Sequence, residues 1–394
     1  MSGPRWPVVA LGEVAPLRRR LVELQPEQVY REVGARSFGR GLFDKPDFRG
    51  SDLTWEKPFW IHAGDLVFSN IKAWEGAVAV AGDEHHGRVA SHRYLTCVPD
   101  TRRALGRYIL HYLLTADGLA QLGAASPGSA DRNRTLSTRA LAAIRIPLPP
   151  LAEQERIVAR LDGAAERIAR RAEAVKAVEA ELGAMLQAAF RRITAGAPVA
   201  RLGDVAPLVR RPVTVEPNTI YKEVGARSFG RGLFRKPDVC GGDLTWQQLF
   251  GIEEGDLVFS NIKAWEGAFA VAGAAHHGCV GSHRYLTCVP DKGRTTPGFA
   301  WFYLQSPKGL SQVQAASPGS ADRNRTLSTR ALADLRMPLP SLDAQRAFDR
   351  LHAKAEAALA AQRAASAELD KLIPALLHET FGAEAAAATR AAAA

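Results

Sequence analysis

The sequence predicts an α+β protein: two similar mixed α/β domains joined by two long helices that pair as an antiparallel coiled coil. Three observations carry this reading. Tyr30–Asp100 returns as Tyr221–Asp291, 191 residues later and without a gap, with 55 of 71 positions identical. Ser126–Leu141 (SPGSADRNRTLSTRAL) returns unchanged as Ser317–Leu332. Each copy ends in about forty residues of helical periodicity. A unit this long exceeds a solenoid repeat, so each copy must bury its own core.

In each copy short apolar runs alternate with Gly-, Pro- and Asp-rich turns. GDLVFSNI, AVAVAG and HRYLTCV in the first copy have the length and composition of strands. Helical stretches follow at Leu105–Leu122 and Phe299–Val313, then a Ser/Gly/Asn loop and a short run, AIRIPLPP or DLRMPLP. The prolines at 147, 149 and 150, and at 338 and 340, stop a regular element from crossing that junction. Beyond it Val158, Leu161, Ala165, Ile168, Ala172, Val175, Leu182 and Leu186 step by threes and fours. Phe348, Leu351, Ala355, Ala358, Ala365, Leu369, Leu372 and Leu376 do the same in the second tail. Each tail spans roughly 60 Å as a helix. Neither stripe can stay in water, and pairing the tails is the simplest solution; packing each onto its own domain is the alternative. The boundaries expected are domains at 1–150 and 193–340, helices at 151–192 and 341–382, and a low-complexity tail at 383–394 that frays. Pro374 is expected to bend the second helix. Antiparallel tails would relate the two domains by an approximate twofold axis within one chain.

The chain carries 51 Lys+Arg against 41 Asp+Glu, a net +10, which favours a polyanionic partner. No apolar stretch is long enough to cross a membrane and no secretory signal core opens the chain, so a cytoplasmic location with no membrane partner is expected. Cys97, Cys240, Cys279 and Cys288 form no CxxC pair and are read as small buried hydrophobes. His85-His86 and His276-His277 recur in both copies, but adjacent strand residues point to opposite faces and rarely serve one metal; no metal site is expected. There is no GxxxxGK[ST] loop, no HExxH and no carboxylate–lysine nuclease cluster. Gly39-Arg40-Gly41 lacks the context of a nucleotide fingerprint. These absences point to a binder without catalytic residues of its own.

The junction Ile146–Val158 (IPLPPLAEQERIV) leads into a long amphipathic helix ending in MLQAAF, preceded by GDLVFSNIKAWEGA and a Gly-Ser loop. This combination resembles the DNA-specificity (S) subunits of type I restriction–modification enzymes, over nearly the whole chain and in both copies. The second junction, MPLPSLDAQRAF, departs at Ser341 and at Asp343-Ala344, where a cap or partner contact could differ. The resemblance implies two target-recognition domains, each reading one half of a split DNA sequence, held apart by the helices. It also implies two modification (methyltransferase) subunits that carry S-adenosylmethionine and methylate adenine, and motor–nuclease restriction subunits. The S subunit itself is implied to be noncatalytic and to hold no cofactor.

Reading base edges needs Arg, Lys, Asn or Gln, and positioning on phosphates needs cations and hydroxyls. Four segments supply these groups twice. Gly34–Phe43 holds Arg36, Ser37 and Arg40, repeated as Arg227, Ser228 and Arg231; its glycines suggest a turn mobile enough to enter a groove, or simply a solvated one. Ser69–Trp74 holds Asn70 and Lys72, repeated as Asn261 and Lys263, with Trp74 and Trp265 read as core. Ser129–Arg134 holds Arg132, Asn133 and Arg134, repeated as Arg323, Asn324 and Arg325, and is the strongest candidate. His92 and Arg93, repeated as His283 and Arg284, come fourth.

The copies differ instead at Asp44/Arg235, Phe48-Arg49/Val239-Cys240, Glu56–Pro58/Gln247–Leu249, His62-Ala63/Glu253-Glu254 and Asp83-Glu84/Ala274-Ala275. If the four segments carry specificity, both domains read the same half-site on double-stranded DNA. The target is then an inverted repeat whose halves lie about one helical turn apart. A free-standing DNA-binding scaffold without restriction partners is the competing reading.

Overall fold

The computed structural model describes residues 6–53, 57–128, 134–244, 248–319 and 325–392, with side chains described as far as Gly382. It divides into two compact units, residues 1–175 with 363–394, and residues 176–362. The boundary falls inside the central helix rather than at its end, because the two ends of that helix are sunk in different cores.

The sheets of unit 1 are small and antiparallel. Leu66–Ser69 lies between Val78–Val80 and Tyr94–Cys97, with Phe68 opposite both Val78 and Leu95. All four residues of the middle strand are buried, as a strand covered on both faces requires. Val33–Ala35 and Leu42–Asp44 form a hairpin, Phe59–Ile61 pairs with Arg88–Ala90, and Val8–Ala10 pairs with Arg145–Pro147. Unit 2 repeats the plan, with Leu257–Ser260 between Phe269–Val271 and Tyr285–Cys288, and Val224–Ala226 paired to Leu233–Arg235. The helical stretches expected as single elements are each broken in two. Thr115 caps Ala116–Ala124 after Gly106–Leu113, and Ser306 caps Pro307–Ala315 after Pro297–Gln305.

Asp65 of the GDLVFSN run is buried and takes the guanidinium of Arg20 at 2.7 Å and the amide of His62 at 2.8 Å. Arg211 and the Glu253 amide do the same for Asp256. Here the motif holds a loop in place. Cys97, Cys279 and Cys288 are buried and Cys240 is exposed, which corrects the expectation for that one. Burial pushes the Cys97 and Cys288 thiols up to about 12, so the reactive thiolate is scarce at neutral pH. Iodoacetamide at pH 7.5 is therefore expected to label Cys240 alone, with the other three reacting only after denaturation; rapid labelling of Cys97 in native protein would contradict this packing.

The central helix runs Leu151–Thr194, and the second tail is two helices, Leu342–Leu369 and Leu372–Ala392. The break lies at Asp370-Lys371, ahead of the proline expected to cause a bend. Pro374 consequently sits in the first turn of the last helix, where no intrahelical N–H is required of it. The backbone of that helix continues to Ala392 through the Ala-rich tail expected to fray, in keeping with alanine's helix propensity.

Each helix start is clamped by a fully buried glutamine from the junction motif. Gln154 accepts the Leu105 amide at 2.9 Å and donates to the carbonyls of Arg103 and Pro149. Gln345 accepts from Thr295 and Thr296 at 3.0 Å and donates to Arg294 and Pro340. The departures at Ser341 and Asp343-Ala344 leave this clamp intact, and Ser341 caps the Ala344 amide.

In unit 1 the start of the central helix packs with the last helix: Ile157 and Leu161 share a core with Leu377 and Phe381, and Arg160 pairs with Glu379 at 2.7 Å. In unit 2 the end of the central helix packs with the start of the Leu342–Leu369 helix, and Leu186 and Phe190 share a core with Phe348 and Ala355. This order of contacts is that of antiparallel helices. Two expected stripes thin out between the ends. Ala165, Ala172, Ala358, Ala365 and Leu372 are exposed, while Leu359 and Leu377 are buried. A pair of helices covers only one narrow seam of each partner, so the apolar residues off that seam stay wet.

Candidate nucleic-acid interface

Three candidate segments of unit 1, and Arg134 of the fourth, converge on one turn, Asn70–Gly76. The turn follows a buried strand whose last residue is Ser69, and Ala73–Glu75 winds as a single 3-10 turn closed by Gly76 at φ 75°. The Asn70 amide donates to the Arg93 carbonyl at 2.7 Å, and the Leu136 amide donates to the Asn70 carbonyl at 2.8 Å. The hairpin tip is fastened to the far end of the turn. Phe38 and Gly39 donate from their amides to the Glu75 and Gly76 carbonyls, both at 2.9 Å, and Ser37 Oγ donates to Glu75 Oε2 at 2.8 Å.

Unit 2 has the same connections. Asn261 donates to Arg284 at 2.7 Å and accepts from Leu327 at 2.8 Å; Phe229 donates to Glu266 at 2.8 Å, and Ser228 Oγ donates to Glu266 at 2.6 Å. Gly39 follows Phe38 with φ +64°, in the left-handed region that glycine occupies without steric cost.

The tip is thus a hydrogen-bonded platform rather than the mobile turn its glycines suggest. Arg36, Arg40, His92 and Arg93 are exposed on it, as are Arg227, Arg231, His283 and Arg284 in unit 2. Arg36 lies over the Phe43 ring at 5.2 Å and Arg227 over Phe234 at 4.7 Å, which orients the guanidinium without consuming its donors. Ser37 and Ser228 spend their hydroxyls on Glu75 and Glu266, and Asn70 and Asn261 spend their backbones on cross-links; their side-chain oxygens are buried and unpartnered among the described residues. The two serine hydroxyls and the two asparagine backbones thus fasten the tip and the loops to the turn.

Lys72 pairs with Glu75 at 2.7 Å, and Lys263 with Glu266 at 2.7 Å. The bonded ammonium holds each carboxyl below the usual range, with the serine hydroxyl adding to it. A depressed carboxylate pKa contributes stability above its unfolded value and loses it as pH falls through the folded one, so these tethers loosen only in acid.

Trp74 and Trp265 are half-buried, which corrects the expectation that they are core. Trp74 donates its indole N–H to the Ile71 carbonyl at 3.1 Å and carries two cations on its ring, Lys72 at 5.0 Å and Arg134 at 4.6 Å. Trp265 carries Lys263 at 5.4 Å and Arg325 at 4.9 Å. Arg134 also donates to the carbonyls of Ser126 and Gly123, so it anchors the root of its loop. Arg132, Asn133, Arg323 and Asn324 lie outside the described residues. The repeated histidines cap turns: His85 Nδ1 accepts from Gly82 and His276 Nδ1 from Gly273, each at 3.1 Å. Among the described residues no group of three or more His, Cys, Asp or Glu could hold a metal ion, and no helix is long and apolar enough to cross a membrane.

One residue pair at the tip was not singled out from sequence. Phe38 and Phe229 are 71% and 72% exposed, and both adopt φ 62°. The left-handed region costs a side-chain-bearing residue about 1–2 kcal/mol, while glycine there costs less than about 1 kcal/mol in unfolded-chain entropy. Phe38→Gly is therefore expected to raise stability by about 0.5–1 kcal/mol, read as a higher thermal midpoint. A lower midpoint would mean that the exposed ring makes contacts worth more than the strain.

The fold has counterparts among solved structures. A chain from a structure of type I R-M system assembly and conformational transition is 21% identical, covering 97% of this chain and 99% of that one with a TM-score of 0.68. The HsdS subunit from Thermoanaerobacter tengcongensis is 20% identical, with 98% of each chain covered and a TM-score of 0.57. The chain has the fold of a type I S subunit. The S subunit of a type I restriction–modification system from M. genitalium, 12% identical with 96% of each chain covered, matches at a TM-score of 0.52. No family model matches the sequence and no curated protein matches it. At such identities the S-subunit fold is carried by core pattern and topology, and its residue-level contacts must be argued from this chain.

Proposed function

We propose that this chain is a DNA-specificity subunit of a type I restriction–modification system. The observation that carries the reading is the duplicated platform: in each unit three exposed cations, Arg36, Arg40 and Arg93 or Arg227, Arg231 and Arg284, stand on the same hydrogen-bonded turn. A surface of this kind suits a phosphate backbone first and base edges second. The net charge of +10 and the S-subunit fold support it.

In this reading the chain is noncatalytic and cytoplasmic. Two modification subunits bring S-adenosylmethionine and methylate adenine, and restriction subunits bring the motor and nuclease. Each unit reads one half of a bipartite target. Because the platforms are identical in sequence, the two halves are the same sequence in inverted orientation. Co-expression with the modification subunits, followed by mapping of methylated adenines, is expected to return an inverted repeat with a nonspecific spacer. An asymmetric target would refute the common half-site, and unmethylated DNA would refute the specificity role.

A further inference from the structure

In both units the hairpin tip carries a phenylalanine that contributes nothing to a core. Phe38 and Phe229 are the only aromatic residues among the exposed large hydrophobics of the described residues. Each sits in a backbone conformation that glycine or asparagine would occupy at lower cost. Sixteen of 71 aligned positions have changed between the copies, and this one has not.

The ring is presented on a fixed mount. Its own amide is bonded to Glu75 or Glu266, the following glycine to Gly76 or Gly267, and the Arg36 and Arg227 amides close the tip onto Gly41 and Gly232 at 3.0 Å. One cation stands beside each ring, the Arg40 guanidinium 5.8 Å from the centre of Phe38 and the Arg231 guanidinium 5.8 Å from that of Phe229. A protein partner would ask for a broader apolar patch than one ring and a third-exposed isoleucine (Ile71 or Ile262) on the adjoining turn. An aromatic knob beside a guanidinium, on a tip that carries a second exposed arginine, matches a ligand with an anionic exterior and a stacked apolar interior, which is a duplex.

We propose that Phe38 and Phe229 are wedges that enter between neighbouring base pairs, one in each half-site, unstacking that step and kinking the DNA there. The inference rests on the DNA-specificity reading and adds to it a source of selectivity without hydrogen bonds. Pyrimidine–purine steps open most easily, so each half-site should contain one at the wedge position.

The test uses the full-length chain, a target duplex that it selects from a random-sequence pool, and 2-aminopurine placed at successive positions. Wild-type protein is expected to raise 2-aminopurine fluorescence at one step per half-site. The variant Phe38→Ala with Phe229→Ala should abolish that rise and weaken target binding by about ten-fold or more. Phe38→Leu with Phe229→Leu should keep most of both, since leucine also wedges. A wild-type complex with no fluorescence rise, or an alanine variant that binds its target as tightly as wild type, overturns the wedge while leaving the DNA reading standing. Loss of modification-subunit co-purification with unchanged DNA binding overturns it too, by reassigning the ring to a protein contact. Failure of the wild-type chain to retain any duplex overturns both readings at once.

Discussion

Replacing Phe381 with alanine is expected to cost unit 1 about 3–5 kcal/mol. The ring is fully buried, 5.7 Å from the centres of both Tyr108 and Tyr112, and it comes from a helix more than 250 residues further along the chain than the Gly106–Leu113 helix it covers. Its removal takes away the transfer free energy of an aromatic side chain and leaves a cavity between two tyrosines that cannot collapse freely. A loss of that size is a large share of a domain's stability. Amide exchange in Leu66–Ser69 should then accelerate by two orders of magnitude or more at about 1.4 kcal/mol per decade, while Leu257–Ser260 keeps its protection. Unchanged exchange in Leu66–Ser69 would show that the last helix does not complete this core. Phe190→Ala is the mirror experiment: Phe190 packs against Phe299, Phe302 and Phe348 in unit 2, so there the Leu257–Ser260 amides should be the ones to open.

Removing Arg36, Arg40, Arg227 and Arg231 together is expected to give the largest loss of DNA binding, and its form identifies what they touch. If all four meet phosphates, the slope of log affinity against log salt falls by about 3–4, equally for every duplex. If they meet base edges, each is worth about 1–3 kcal/mol, so even the low end lowers target affinity by about three decades while random-sequence binding declines far less. Affinity measured across a salt series on target and random duplexes separates the two. Unaltered affinity on both would remove the hairpin tips from the interface. The four side chains are exposed and anchor no core, so the variant should fold normally.

The likeness of the two platforms has a corollary. The copies have drifted at the strand ends around Phe48 and Val239 and in the turn before Asp65 and Asp256, where His62-Ala63 faces Glu253-Glu254. The second pair adds a contact from Glu253 to Arg211 at 3.5 Å, while the first brings the His62 and His86 rings to 4.9 Å. These changes alter the surroundings of an Arg–Asp pair present in both units and leave the platform untouched, so the two units can differ in stability while their platforms stay the same.

By itself the sequence determined whatever depends on local pattern. The duplication is literal, the strands GDLVFSN and YLTC are runs of residues that must be buried, and prolines bracket the starts of the long helices. Cation-bearing turns were also legible as candidates, because Arg and Lys next to Gly and Ser leave few other uses. Only the tertiary structure decided which of their groups are already bonded. In space the Ser37 hydroxyl is tied to Glu75 and the Asn70 backbone to Arg93 and Leu136, residues up to 66 positions away, while the Asn70 side-chain oxygen has no partner among the described residues. Arg134 and Lys72 flank a tryptophan that reads as core until the loops around it are placed. The strained Phe38 was invisible for the same reason, since its φ is imposed by hydrogen bonds to a distant turn. Periodicity announced that both tails bury a stripe, but the helical repeat carries no record of the partner. That the last helix completes the first unit, with Phe381 between Tyr108 and Tyr112, follows from which cavity its ring fills, and cavities exist only once the chain has folded.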